Sequence, residues 1–210
     1  MSKRYWISVA AIAAVAALAG MYVARMLGQP AVPSLEAGTS LPQPRTLEDF
    51  NLVDTHGAPA TLASLRGHPT LVFFGFTHCP DVCPTTLTLL ASVQKQVVPQ
   101  DPRLAGLEIA FISVDPGRDT PEQMGSYISA FRGDFIGLTG SPPEIVKATK
   151  SFGVAAARVD LGDGNYTMDH SATVFALDSQ ARIVAVFTPP LTAAALTRDM
   201  ARLAPVLGNS

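Results

Sequence analysis

The chain has 210 residues and a formal net charge of −2, with 48% hydrophobic, 7% aromatic and 15% charged residues. So apolar a composition excludes a disordered chain, and 16 glycines and 17 prolines without a triplet period exclude a collagen-like one. The near-neutral charge gives no attraction to nucleic acid, and two cysteines, Cys79 and Cys83, are too few and too close together for a disulfide scaffold.

Residues 5–24 carry no charge, with Lys3 and Arg4 before them and Arg25 after. Twenty residues at helical rise span about 30 Å, the hydrocarbon thickness of a bilayer. Tyr5, Trp6 and Tyr22 fall where interfacial aromatics sit. Ala17-Leu18-Ala19 has the form of a signal-peptidase site, but the apolar run continues past it, which favours an uncleaved membrane helix. Residues 1–27 are therefore expected to be an N-terminal membrane anchor or uncleaved signal. The leading positive charges keep the short amino end inside and send the rest across. Without an Arg- and Ser-rich transit region, the membrane is expected to be a bacterial inner membrane, with the C-terminal domain in the periplasm. Residues 28–46 hold Pro30, Pro33, Pro42 and Pro44 and read as a proline-rich linker. Beyond residue 27 the chain keeps 12 of its 15 basic residues against all 17 acidic ones, a net charge of −5.

Residues 47–210 read as one α/β domain. Residues 70–76 form a nearly continuous apolar run of the kind buried on both faces, and residues 109–114 form a second. Residues 172–177 and 182–187 read as a hairpin, which makes part of the sheet antiparallel. Thr120-Pro-Glu-Gln123 and Ser141-Pro-Pro-Glu144 have the capping-box form of helix starts. Leu87, Leu90, Val93 and Val97 mark a helix after the cysteines, and residues 191–203 a C-terminal one. The alternation gives a sandwich around a central mixed sheet.

The chemistry concentrates in Phe76-Thr-His-Cys-Pro-Asp-Val-Cys-Pro84, between the first core strand and a helix. A spacing of four puts both sulfurs on one face if the segment is helical, and a helix amino end favours thiolates. The flanking prolines and Asp81 suggest an exposed loop. Thiol oxidoreductases usually carry two intervening residues, so three tilts the reading toward a metal, with copper(I) or zinc suited to two soft sulfurs. Of the four histidines, His56 and His68 read as solvated loop residues. His78 adjoins Cys79 too closely to share an ion with the pair without strain. His170, in Asp169-His-Ser171 at the start of the strand of residues 172–177, is the candidate third ligand, with Asp169 as its orienting partner. Asp115 and Asp119 are candidates to shape a binding surface near the site, with Arg118 pairing with one of them, although turn formation and helix capping explain most of the segment Asp115–Pro121. The segment Asp160-Leu-Gly-Asp-Gly-Asn165 lacks the ligand spacing of a calcium loop and reads as a hairpin turn.

Three motifs in order, Phe74-Gly-Phe-Thr-His-Cys-Pro-Asp-Val-Cys-Pro84, Ser113-Val-Asp-Pro-Gly-Arg-Asp-Thr-Pro121 and Asp169-His-Ser171, resemble the Sco/SenC family of membrane-anchored copper proteins. The resemblance implies a thioredoxin-like fold and a copper ion held by Cys79, Cys83 and His170. It also implies a role in cytochrome c oxidase assembly: delivery of copper to the binuclear centre of subunit II, or reduction of that subunit's cysteines. On this reading Cu(I) is three-coordinate, and Asp81 or water adds a ligand for Cu(II). An upstream copper donor and a thiol reductant are implied as partners. The alternative is a thiol–disulfide oxidoreductase acting on exported proteins. Thioredoxins carry a cis-proline where Met168-Asp-His-Ser171 stands, and His170 takes roughly that place.

Overall fold

The computed structural model describes Trp6, residues 12–22 and residues 32–208. The chain divides into two units, Met1–Val32 and Pro33–Ser210. In the first, residues 12–22 are helical. No helix among the described residues is long and apolar enough to cross a membrane, and much of the expected anchor (residues 1–5, 7–11 and 23–27) lies outside them.

In the second unit the elements run β1 (Gly38–Arg45), β2 (Leu52–Asp54), β3 (Pro59–Ala60), β4 (Thr70–Gly75), α1 (Val82–Val97), β5 (Glu108–Ser113), α2 (Pro121–Ile128), β6 (Phe135–Thr139), α3 (Pro142–Phe152), β7 (Ala156–Gly162), β8 (Asn165–His170), β9 (Val174–Leu177), β10 (Ile183–Phe187) and α4 (Ala193–Leu207). Eight strands form one sheet in the order β1-β10-β9-β4-β5-β6-β2-β3, while among the described residues β7 and β8 pair only with each other. β4, β5 and β6 run parallel, with Phe73 opposite Phe111 and Phe74 opposite Ile112. β9 returns antiparallel on the other side of β4, so the sheet is mixed as its sequence pattern predicts.

Both faces of β4 are buried because successive side chains alternate and helices cover each side. Phe73 stacks on Phe111, whose ring meets Tyr127 of α2 at 5.6 Å between centroids. Phe74 points the other way, edge-on to Phe152 of α3 at 5.1 Å. Thr120 caps α2 by accepting the amide of Gln123. Ser141 makes no such bond to α3; Glu144 in the first turn accepts the amide of Asn51 instead. The hairpin turn between β7 and β8 places Gly162, Asp163 and Gly164 at positive φ, a conformation glycine adopts freely and aspartate tolerates.

The proline-rich stretch departs from its reading as a linker. Residues 38–45 form β1, paired with β10 at the sheet's edge. Prolines are admissible on an edge strand, where one row of backbone donors faces no partner. Polar contacts fix the approach to it: buried Asp199 accepts the amides of Glu36 and Ala37 at 2.7–2.9 Å, and Arg45 donates to the carbonyls of Ser151 and Phe152.

Candidate metal centre

β4 ends at Gly75 and α1 begins at Val82, so residues 76–81 form the turn that carries Cys79. Cys79 therefore precedes the helix and Cys83 lies in its first turn, and the two do not share a helical face. Instead the first turn's free N–H of Cys83 points at the Cys79 sulfur, 3.4 Å away. That contact gives the helix's first-turn N–H a partner, as helix amino ends require. His78, Pro80 and Asp81 are exposed, as the prolines suggest of the loop, but Cys79 is half-buried and Cys83 fully buried. Gly75 makes the room: a Cβ there would stand 2.7 Å from the Cys83 sulfur and 2.7 Å from the Phe111 ring.

His170 ends β8 rather than opening β9. Its Nε2 lies 3.5 Å from Cys83 Sγ, and its ring packs edge-on against Phe73 and Phe76. Nδ1 lies 3.2 Å from the carbonyl of Ser171, which can only accept, so Nδ1 carries the proton and the Nε2 lone pair faces the sulfur. Burial pushes the Cys83 thiol up strongly and pushes His170 down. Both effects keep the groups neutral, with a thiol proton available for the line between sulfur and nitrogen. A soft cation replacing that proton would compensate the charge of the buried thiolate, because it takes thiolate and neutral imidazole together. The donor set thus fits copper(I). Among the described residues no three such side chains converge as a finished metal cluster; Cys83 and His170 face each other, and Cys79 joins them through the Cys83 amide.

The remaining sequence candidates fall elsewhere. Asp81 is exposed at the N-cap of α1, makes no side-chain cap bond and accepts a 3.4 Å bond from the Thr85 hydroxyl. Asp169 is exposed: strand alternation turns it away from the face of His170, and the carbonyl of Ser171, not Asp169, holds Nδ1. Asp169 reaches His170 only through its charge. His56 sits in an exposed turn. His68 lies 4.0 Å from Glu108, and His78 lies 3.8 Å from Asp119.

Asp119 and Arg118 carry more of the site than turn residues would. Asp119 is fully buried and accepts the Thr77 amide at 3.0 Å, the Thr77 hydroxyl at 2.7 Å and the Ser113 hydroxyl at 2.6 Å, which anchors the loop two residues before Cys79. Arg118 does pair with Asp115, at 2.6 Å. Tyr166, absent from the sequence reading, donates its hydroxyl to the same carboxylate. Nothing in the local pattern around Tyr166 marks it; its partners Asp115 and Arg118 are about fifty residues away.

A family model described as SCO1/SenC matches residues 38–205. The chain belongs to the SCO1/SenC family. An SCO2-like protein of Rickettsia prowazekii is 40% identical over 140 residues, which cover 66% of this chain and 67% of that protein. The copper-bound ScoI of Bradyrhizobium japonicum is 42% identical with a TM-score of 0.66, over 74% of this chain and 98% of that one. Apo Sco1 of Thermus thermophilus is 37% identical with a TM-score of 0.71, over 85% of this chain and all of that one. Curated SCO relatives are matched over as little as 40% of their length and as much as 68%. The fold is that of the Sco proteins, with the thioredoxin-like mixed sheet and flanking helices.

Proposed function

We propose that this Sco protein binds one copper ion through Cys79, Cys83 and His170 and serves the binuclear copper centre of cytochrome c oxidase subunit II, by delivering copper or by reducing the receiving cysteines. The observation that carries the reading is the 3.5 Å approach of Cys83 Sγ to His170 Nε2 in a chain similar to a copper-bound ScoI. Two thiolates and an imidazole favour Cu(I), and Asp81 or water is the added donor for Cu(II). A disulfide between Cys79 and Cys83 would remove both sulfur donors, so the site needs a reductant and an upstream copper donor. The chain is further proposed to be held in a bacterial inner membrane by residues 1–27, with the Sco domain in the periplasm.

A second reading, a thiol–disulfide oxidoreductase acting on exported proteins, is favoured by the asymmetry of the pair: Cys79 accepts a helix N–H and reaches solvent, while Cys83 is buried. One experiment separates copper delivery from thiol chemistry. The Cu(I)-loaded chain is mixed with the reduced, metal-free soluble domain of subunit II, and the copper-free chain with the same domain in its disulfide form. Copper delivery predicts metal transfer in the first mixture, and thiol chemistry predicts that in the second the reduced Cys79 and Cys83 pass two electrons and two protons to the domain, whose cysteines become thiols while Cys79 and Cys83 end as a disulfide. Neither result in either mixture would overturn both.

A further inference from the structure

Among the described residues the hairpin carrying His170 hydrogen-bonds to no other strand, and every residue of β7 is exposed. Its position against the sheet rests on side chains, and Tyr166 of β8 gathers them. The Tyr166 hydroxyl donates to Asp115 Oδ1 at 2.9 Å, and its carbonyl accepts from Arg118 Nη1 at 3.0 Å. The Arg118 guanidinium lies 3.7 Å from the centre of the Tyr166 ring, and that of Arg158 lies 3.8 Å from it. Two guanidinium groups this close to one ring must occupy opposite faces, so the ring is sandwiched between β7's own arginine and Arg118 of the body. Arg118 Nε also pairs with Asp115 Oδ2 at 2.6 Å, and its guanidinium sits 5.9 Å from the Phe76 ring, the ring against which His170 packs.

The same contacts continue to the cysteine loop. Asp115 donates its amide to Ser113 Oγ at 2.9 Å, Ser113 donates to Asp119 at 2.6 Å, and Asp119 holds Thr77. Arg118 therefore stands at the junction of the two arms that present the sulfur and nitrogen donors. One of its donors, Nη2, is buried with no hydrogen-bond partner, so the clamp falls short of a fully paired one.

We propose that Arg118 is a positioning residue that fixes the His170 arm over the cysteine pair by clamping Tyr166, and so sets how fast bound copper is released. The inference rests on the copper reading above, but the clamp itself is tested without metal. Amide hydrogen exchange on the metal-free full chain compares wild type with Arg118→Gln and with Tyr166→Phe, which keeps both ring stacks and loses only the bond to Asp115. Arg118→Gln is expected to speed exchange in residues 156–170 about tenfold while β4 and β5 keep their wild-type rates, and Tyr166→Phe to move the same amides by a smaller factor. With Cu(I) loaded, transfer to a colorimetric Cu(I) chelator should quicken about tenfold in Arg118→Gln. Unchanged exchange in the hairpin, exchange that rises equally in β4 and β5, or chelator transfer at the wild-type rate would overturn the proposal. A wild-type chain that binds no Cu(I) would overturn the copper reading and the effect on release, while the hairpin exchange rates would still accept or reject the clamp.

Discussion

Cys83 Sγ and His170 Nε2 stand 3.5 Å apart although 87 positions separate them in the chain. The sulfur comes from the first turn of the helix after β4, the nitrogen from the end of a hairpin outside the main sheet. Gly75 is the position beneath the sulfur. Gly75→Ala would press a methyl group to within 2.7 Å of Cys83 Sγ and of the Phe111 ring. Overpacking of this kind costs about 1–3 kcal/mol. The variant is expected to unfold at lower urea and to bind Cu(I) less tightly than wild type, because the added methyl group displaces the sulfur from its present position. An alanine variant with unchanged affinity and midpoint would show that the sulfur is not held by this packing.

Asp119 gives the second prediction. Its carboxylate is fully buried and meets three donors, from Thr77 and Ser113. Asp119→Ala strands those donors and should destabilise the protein by about 3 kcal/mol, whereas Asp119→Asn keeps one carbonyl oxygen and should lose less. Denaturant midpoints order the three proteins, and the order wild type, Asn, Ala is the expected one.

The third concerns pH. At the start of β5, Glu108 Oε2 is buried without a hydrogen-bond partner, 4.0 Å from His68 Nε2. Burial pushes the carboxyl above its ordinary value, with His68 opposing. The folded chain then holds this proton more tightly than the unfolded chain does. The stabilising contribution is fully present below the unfolded pKa and is lost as pH rises through the folded one. Glu108→Gln, which cannot ionise, should therefore gain in urea midpoint over wild type when pH is raised from about 4 to 7. A gain that runs in the opposite direction would mean that attraction to His68 outweighs burial.

The fourth concerns residues 33–46. Gly38 packs so closely on Phe187 that a Cβ would stand 2.4 Å from its ring, and Asp199 is satisfied by the amides of Glu36 and Ala37 together with Arg202. Deletion of residues 33–46 uncovers the β10 edge and leaves the Asp199 carboxylate one partner instead of three, a loss on the order of 3 kcal/mol or more. A linker would be removable without effect, so an unchanged thermal midpoint would restore that reading.

The core strands were legible because β4 and β5 are apolar without interruption, and the helix starts because threonine and proline at the caps act locally. Strand β1 was not, since four prolines in nineteen residues look like a spacer and the partners that order the segment, Asp199 and β10, lie about 150 positions away. At the site, the cysteine pair and His170 stood out by residue type. The burial of Cys83, the Ser171 carbonyl as the partner of Nδ1, and the links from Asp119 to Thr77 and from Arg118 to Tyr166 depend on tertiary placement that no local pattern encodes.

The central claim is that Cys79, Cys83 and His170 form one copper site. The most direct measurement is titration of the reduced full chain with Cu(I) against a competing chelator, for wild type, Cys79→Ser, Cys83→Ser and His170→Ala. The account predicts one equivalent bound tightly by wild type and no tight binding by either serine variant. For His170→Ala it predicts an affinity lowered by more than about 100-fold, the upper range for loss of a mere supporting partner of a ligand. Tight one-to-one binding that survives in Cys83→Ser, or an unchanged affinity in His170→Ala, would contradict it.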